Sequence, residues 1–242
     1  MSASDKEFSK FCLENTEGNF VEWLRNRSST SWEKMVYHRF TIDVEKNTIP
    51  EDVFKKYLQL EHNFVRSAIT IFAYALAKAM AIDDQNRLIS ILSALGNEQD
   101  DYFQKTFASM GVKEKELSEF KLDGKARLLR DGAIKIAQTG SLLEILTTML
   151  AAEWMYLTWC ERARDGHMMG PAKEWVELHL TPDFRQQVSW LTNRVNELGA
   201  KAPLDLQEVC AQHFRNMLDW EIDFHHHPYL QYRQYSEYSK LY

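Results

Sequence analysis

Cysteine, proline, glycine and basic blocks are all sparse in this chain. Its three cysteines, Cys12, Cys160 and Cys210, are odd in number, far apart and free of any C-x-x-C pattern. That excludes a disulfide framework and reads as reduced thiols in a cytoplasmic compartment. Five prolines and nine glycines in 242 residues leave too few turn formers for a many-stranded β protein and favour long helices. The net charge is −6 with no run of Lys and Arg, so a nucleic-acid surface is not expected. The N-terminus, MSASDKEF, has neither a basic nor an apolar region, so no signal peptide is expected. There is no Gly-rich phosphate loop and no nucleophile elbow.

What is present is a helical pattern from end to end. Residues 5–27 read as short helical material anchored by Phe8, Phe11, Phe20, Trp23 and Leu24. A second segment runs from Thr30 to about Glu45, with Thr30 and Glu33 spaced as a capping box. A long helix is expected from Glu51 to Ala81 behind Pro50, and another from Asp83 to Met110, stopped by Gly111. Further helices follow over Gly124–Gln138, Gly170–Leu178, from Thr181 to Leu198, and from Pro203 onward. No strand-period run, repeat or low-complexity linker interrupts them. The expected architecture is an all-α, single-domain helical bundle over residues 1–242.

One stretch dominates, Ile145 to Cys160, reading ILTTMLAAEWMYLTWC. It is apolar almost all round, the mark of a buried helix, yet too short and too closely flanked by charge to span a membrane. Its single charged residue is Glu153. Burial without a partner costs roughly 2–7 kcal/mol even for a neutral polar group, so Glu153 has either a partner or a task.

Other helices repeat the anomaly. Glu61 falls in phase with Phe54, Tyr57, Val65 and Ala68, and Glu221 with Cys210, Phe214, Met217 and Phe224. Glu98 does so with Leu88, Ile91, Leu95 and Tyr102. Carboxylates gathered from several helices raise one another's pKa. They can grip an amino-bearing ligand and move protons, hold two metal ions as in di-iron bundles, or be tied into hydrogen-bond networks. The metal reading wants Glu-x-x-His, but Glu98 is followed at that spacing by Asp101 and Glu153 by Tyr156. His225 lies one turn after Glu221, a possible ligand at the wrong offset. The run His225–His226–His227–Pro228 reads as a solvated helix end, and Tyr229, Tyr232, Tyr235 and Tyr238 as a docking stripe.

Several stretches, in order, carry a resemblance: Thr48–Ile49–Pro50 with Phe54 and Tyr57; Leu60–Glu61–His62–Asn63–Phe64; Glu144–Ile145–Leu146 into Trp154 and Tyr156; Phe184–Arg185–Gln186–Gln187–Val188; and Trp220–Glu221 with Phe224. Together they resemble the TenA (thiaminase II) family, which implies a haem-oxygenase-like fold and a role in thiamin degradation and salvage. Ala152 stands where the cysteine-bearing type has its nucleophile. The chain therefore resembles the cysteine-less, glutamate-containing branch, TenA_E. That branch is associated with releasing the amino or formylamino group of a thiamin-derived pyrimidine to give hydroxymethylpyrimidine.

The resemblance implies Glu221 as a catalytic group, and the expected burial of both carboxyls suggests that Glu153 shares the proton work with it. The resemblance also implies Glu61, Phe64, Tyr156, His179 and Phe224 as substrate-binding groups, with Phe64 replacing a family tyrosine. It implies a small-molecule pyrimidine as partner and a homo-oligomer; with the Glu-x-x-His spacing incomplete, no cofactor or metal is expected. The alternatives are a non-catalytic pyrimidine-binding protein and a di-metal carboxylate oxidase on the same fold.

Overall fold

A computed structural model of the chain describes residues 7–15, 18–122 and 124–230, without the side chain of Glu98. The Ile145–Cys160 stretch lies inside helix α9 (Leu142–Ala163), whose start is fixed by Ser141 and Glu144 in a reciprocal capping box. Met155, Trp159 and Cys160 are fully buried on it. Around it stand α5 (Glu51–Lys78), α8 (Gly124–Thr139), α11 (Pro182–Ala200) and α12 (Leu204–Leu230), with α6 (Ile82–Ser109) against α5. Shorter helices close the ends: α1 (Phe8–Glu14), α2 (Phe20–Arg27), α3 (Ser29–Val36), α4 (Arg39–Glu45), α7 (Glu114–Glu119) and α10 (Gly170–Leu178). No strand occurs among the described residues, so the all-α expectation holds.

The N-terminal half departs from the sequence reading at two joints. Thr30 caps nothing, because α3 has already begun at Ser29 and Ser28 precedes it without a side-chain cap bond. Ser28 closes α2 by donating its N–H to Leu24 and Arg25, while its own carbonyl accepts from Trp32. That leaves no room for a separate capping turn. The stretch to Glu45 is also broken at Tyr37–His38, where His38 turns extended and its Nδ1 accepts from the Phe40 N–H. Arg162 and Thr41 both donate to the Val36 carbonyl, so the end of α3 is satisfied from α9 and α4. The break brings Phe40, fully buried, to 4.1 Å from the Tyr57 ring.

The His225–Pro228 run is not a solvated end. His225 and His227 are buried and α12 continues to Leu230, with Pro228 inside its last turn. Tyr229 is buried and donates to Asp43 at 2.7 Å. Tyr232, Tyr235 and Tyr238 lie outside the described residues, as do residues 5 and 6.

Two glycines give a stability test. A Cβ at Gly199 would fall 2.0 Å from the Phe20 ring, where α11 meets α2, so Gly199→Ala forces the helices apart. Overpacking of this kind costs about 1–3 kcal/mol and outweighs the ~1 kcal/mol gained by replacing a helical glycine. Gly96, within α6, has open space around it. Thermal unfolding should show Gly199→Ala lowering Tm by several degrees and Gly96→Ala raising it slightly.

Candidate active site

Glu61 on α5, Glu153 on α9 and Glu221 on α12 line one cavity of about 40 Å³. Ala152, Phe64, Tyr156, Trp175 and His179 also line it, with Val65, Ala68, Gln99, Leu95 and Met149. The three helices deliver these carboxyls because each Glu sits in its helix's apolar stripe, and all three stripes face α9 or form part of it.

Tyr156 is the hub. Its hydroxyl donates to Glu61 Oε1, lies 2.8 Å from the Tyr57 hydroxyl, and lies 3.3 Å from His225 Nε2. His225 Nδ1 donates to the Glu221 carbonyl at 2.8 Å, so its hydrogen is on that nitrogen. The Nε2 of the neutral ring is then an acceptor facing Tyr156. Burial holds the His225 pKa down at about 4, which keeps the ring neutral at pH 7. One turn earlier, Glu221 is 1 % exposed. Its Oε2 lies 3.4 Å from the already committed Nδ1 and makes no hydrogen bond. A buried, unpartnered carboxyl oxygen on a cavity wall is a group awaiting a ligand.

The electrostatics follow from burial and mutual proximity. Desolvation raises Glu221 to about 8. Desolvation and the Glu221 carboxylate raise Glu153 to about 8, against a hydrogen bond from Gln187 that favours the ionised form. Desolvation and Glu221 raise Glu61 to about 7, opposed by His225 and by the Tyr156 and Tyr57 hydroxyls. Near neutral pH the cluster therefore holds protons that ordinary carboxyls would have released.

The expected binding residues divide. Phe64 lines the cavity, and His179 does so while stacking on Tyr156 at 4.9 Å with Nδ1 against the Trp175 carbonyl. Phe224 is fully buried and not part of the cavity wall; its ring meets Phe64 edge-on at 6.1 Å and so backs that wall. The side chain of Glu98 lies outside the described residues. Sequence reasoning weighed His225 only as a metal ligand and gave no site role to Tyr57, a partner of the hub, or to Gln187. The signal for His225 was available, since an i+4 neighbour of Glu221 shares its face. Among the described residues no group of three or more His, Cys, Asp or Glu could hold a metal ion, so the di-metal alternative finds no ligand set there. None of the described helices is long and apolar enough to cross a membrane.

A helical bundle with a carboxylate-lined cavity at its centre is the class of protein that fold and site define. The fold recurs in a domain of unknown function with a haem-oxygenase-like fold from Shewanella denitrificans, with TM-score 0.67, 11% identity, and coverage of 88% of this chain and 93% of that one. The model of the TENA/THI-4/PQQC family matches residues 25–232, and the chain belongs to that family. A TenA homologue from Pyrococcus furiosus superposes with TM-score 0.80 at 23% identity, over 87% of this chain and all of its own. An aminopyrimidine aminohydrolase from Bacillus subtilis is 24% identical over 210 residues, 85% of this chain and 87% of that protein.

Proposed function

We propose that this protein hydrolyses a thiamin-derived aminopyrimidine, replacing the amino or formylamino group on its methylene carbon with hydroxyl to give hydroxymethylpyrimidine. The observation that carries the reading is the meeting of Glu61, Glu153 and Glu221 on one cavity wall, with an unpartnered Glu221 oxygen among them. The activity of the B. subtilis relative supports the same class.

Glu61 accepts the N–H of the ring amino group, held in place by the Tyr156 hydroxyl. Ala152 offers no nucleophile, so water attacks. Glu221, buried and without a charge partner to ionise it, donates a proton to the departing nitrogen. Glu153 takes the proton of the water, its ionised form favoured by Gln187. With Glu221 protonated, the repulsion that raises Glu153 disappears, so the two carboxyls work as a pair sharing one proton. The balance is one water consumed, one C–O bond formed and one C–N bond broken, with the electron pair leaving on nitrogen.

Incubating the purified protein with aminomethyl- and formylaminomethyl-pyrimidine tests this. Hydroxymethylpyrimidine should accumulate as the nitrogen group is released. Tight binding of both without turnover would instead make it a pyrimidine-binding protein. Tyr156→Phe removes one charge-assisted hydrogen bond from Glu61, worth about 1.5–3 kcal/mol. It should raise KM by roughly ten- to a hundredfold, with a smaller change in kcat, read from steady-state kinetics.

A further inference from the structure

A second chamber, of about 270 Å³, opens between α6 and the start of α11. Leu95 and Gln99 line both it and the inner cavity. Gln187, on the outer wall, hydrogen-bonds Glu153 on the inner one. Phe184, also outside, meets the ring of His179 at 5.0 Å. The partition is thus one side chain thick. On it, Gln99 Oε1 is buried without a hydrogen-bond partner. A buried amide oxygen of this kind calls for a hydrogen-bond donor, which none of the described side chains supplies.

We propose that the outer chamber is an acyl subsite: the substrate is an N-acylaminomethyl-pyrimidine whose ring lies in the inner cavity and whose acyl group lies in the outer chamber, its amide N–H donated to Gln99 Oε1. This rests on the hydrolase reading above. At about 40 Å³ the inner cavity is smaller than a substituted pyrimidine, so ring entry displaces its lining side chains, and only the two chambers together reach the ~300–1,000 Å³ of small-molecule sites. A free amine would leave the larger space unused, and a formyl group would fill a small part of it.

The lining favours an uncharged acyl chain. Arg87, its only basic group among the described residues, donates through its terminal nitrogens to the Gln186 amide oxygen and the Asp183 carbonyl, with the Asp183 carboxylate beside it, while its Nε has no hydrogen-bond partner. Ile91 and Leu178 offer apolar surface to the acyl carbons. Chemically, the water oxygen bonds to the methylene carbon and the C–N bond breaks. The electron pair stays on nitrogen, which takes the Glu221 proton and leaves as a primary amide.

The test is kcat/KM of the purified full chain on aminomethylpyrimidine and its N-formyl, N-acetyl and N-butyryl derivatives. The butyryl compound should be used at least tenfold better than the free amine. Ala94→Phe, which fills the chamber, should lower that ratio tenfold or more, and Gln99→Leu should lower it for every amide. Ser90→Phe, on the exposed rim of the same chamber, gives the same readout if Ala94→Phe does not fold. Use of the free amine with rejection of the butyryl compound overturns the subsite and leaves the hydrolase standing. So does an equal effect of the chamber-filling variant on amine and amide. If none of the four compounds is turned over, the hydrolase reading falls and the subsite with it.

Discussion

Glu221→Gln is expected to lower kcat on an aminopyrimidine by about 10²–10⁴-fold, the usual contribution of a positioned proton donor. The side chain is nearly isosteric, and its amide can fill the same space and still satisfy a ligand, so KM should change little. Loss confined to kcat would mean that the group acts in the transition state rather than in ground-state binding. Glu153→Gln should cost a similar factor, because water then lacks its base. The two losses should not multiply in the double variant, since the carboxyls share one proton and removing either disables the exchange. If both single variants retain full turnover, the proton assignment is wrong. If Glu221→Gln alone is active, Glu153 carries both steps.

The second large effect is on pH. Turnover needs one carboxyl protonated and another ionised. With Glu61 raised to about 7 and Glu153 and Glu221 to about 8, that mixed state is most populated between pH 7 and 8. Above it the proton donor is lost and kcat should fall about tenfold per pH unit; below it the base is protonated and the same slope applies in reverse.

Stability moves with the same groups. Their ordinary value is 4.5, so the folded chain keeps protons that the unfolded chain releases. The corresponding stabilisation is fully present below pH 4.5 and is lost as pH rises through 7 to 8. Glu221→Gln cannot ionise and escapes that loss. At pH 9 it should melt roughly 3–8 °C above the parent, a gain on the order of 1–3 kcal/mol, and near pH 5 the two should coincide. A variant that is inactive yet more stable at high pH is what a functional, energetically unfavourable carboxyl cluster produces.

Much of this was legible in the sequence, for identifiable reasons. Helix α9 declares itself because its apolar run has no polar face; the Ser141–Glu144 capping box that starts it is a finding of the structure. Glu61, Glu153 and Glu221 stand out because a carboxylate in an apolar stripe is costly wherever it lies, so no tertiary information is needed to notice them. Thr30 misled because a Ser/Thr-x-x-Glu pattern is local, whereas the start of α3 is set by how Ser28 closes the helix before it. The histidine run misled in a similar way: polar composition suggested solvent, but α12 packs on α9 and buries His225 beside the very carboxyl that helical spacing places next to it.

Helix α6 shows a finer limit. From Leu95, steps of three and four reach Glu98 and Gln99, and a 3.6-residue period does not choose between them. The sequence reading took the carboxylate for the inward face. Gln99, together with Leu95, lines the inner cavity, and the side chain of Glu98 lies outside the described residues. The partition between the two chambers was illegible because it joins residues from α6 and α11, nearly ninety positions apart in the chain.

The most direct test is a crystal structure of Glu221→Gln with aminomethylpyrimidine bound. The account predicts the ring inside the cavity, its amino group on Glu61 held by Tyr156, and its methylene carbon within reach of Glu153 and position 221. A ring bound elsewhere, or carboxyls that face away from it, would contradict the account.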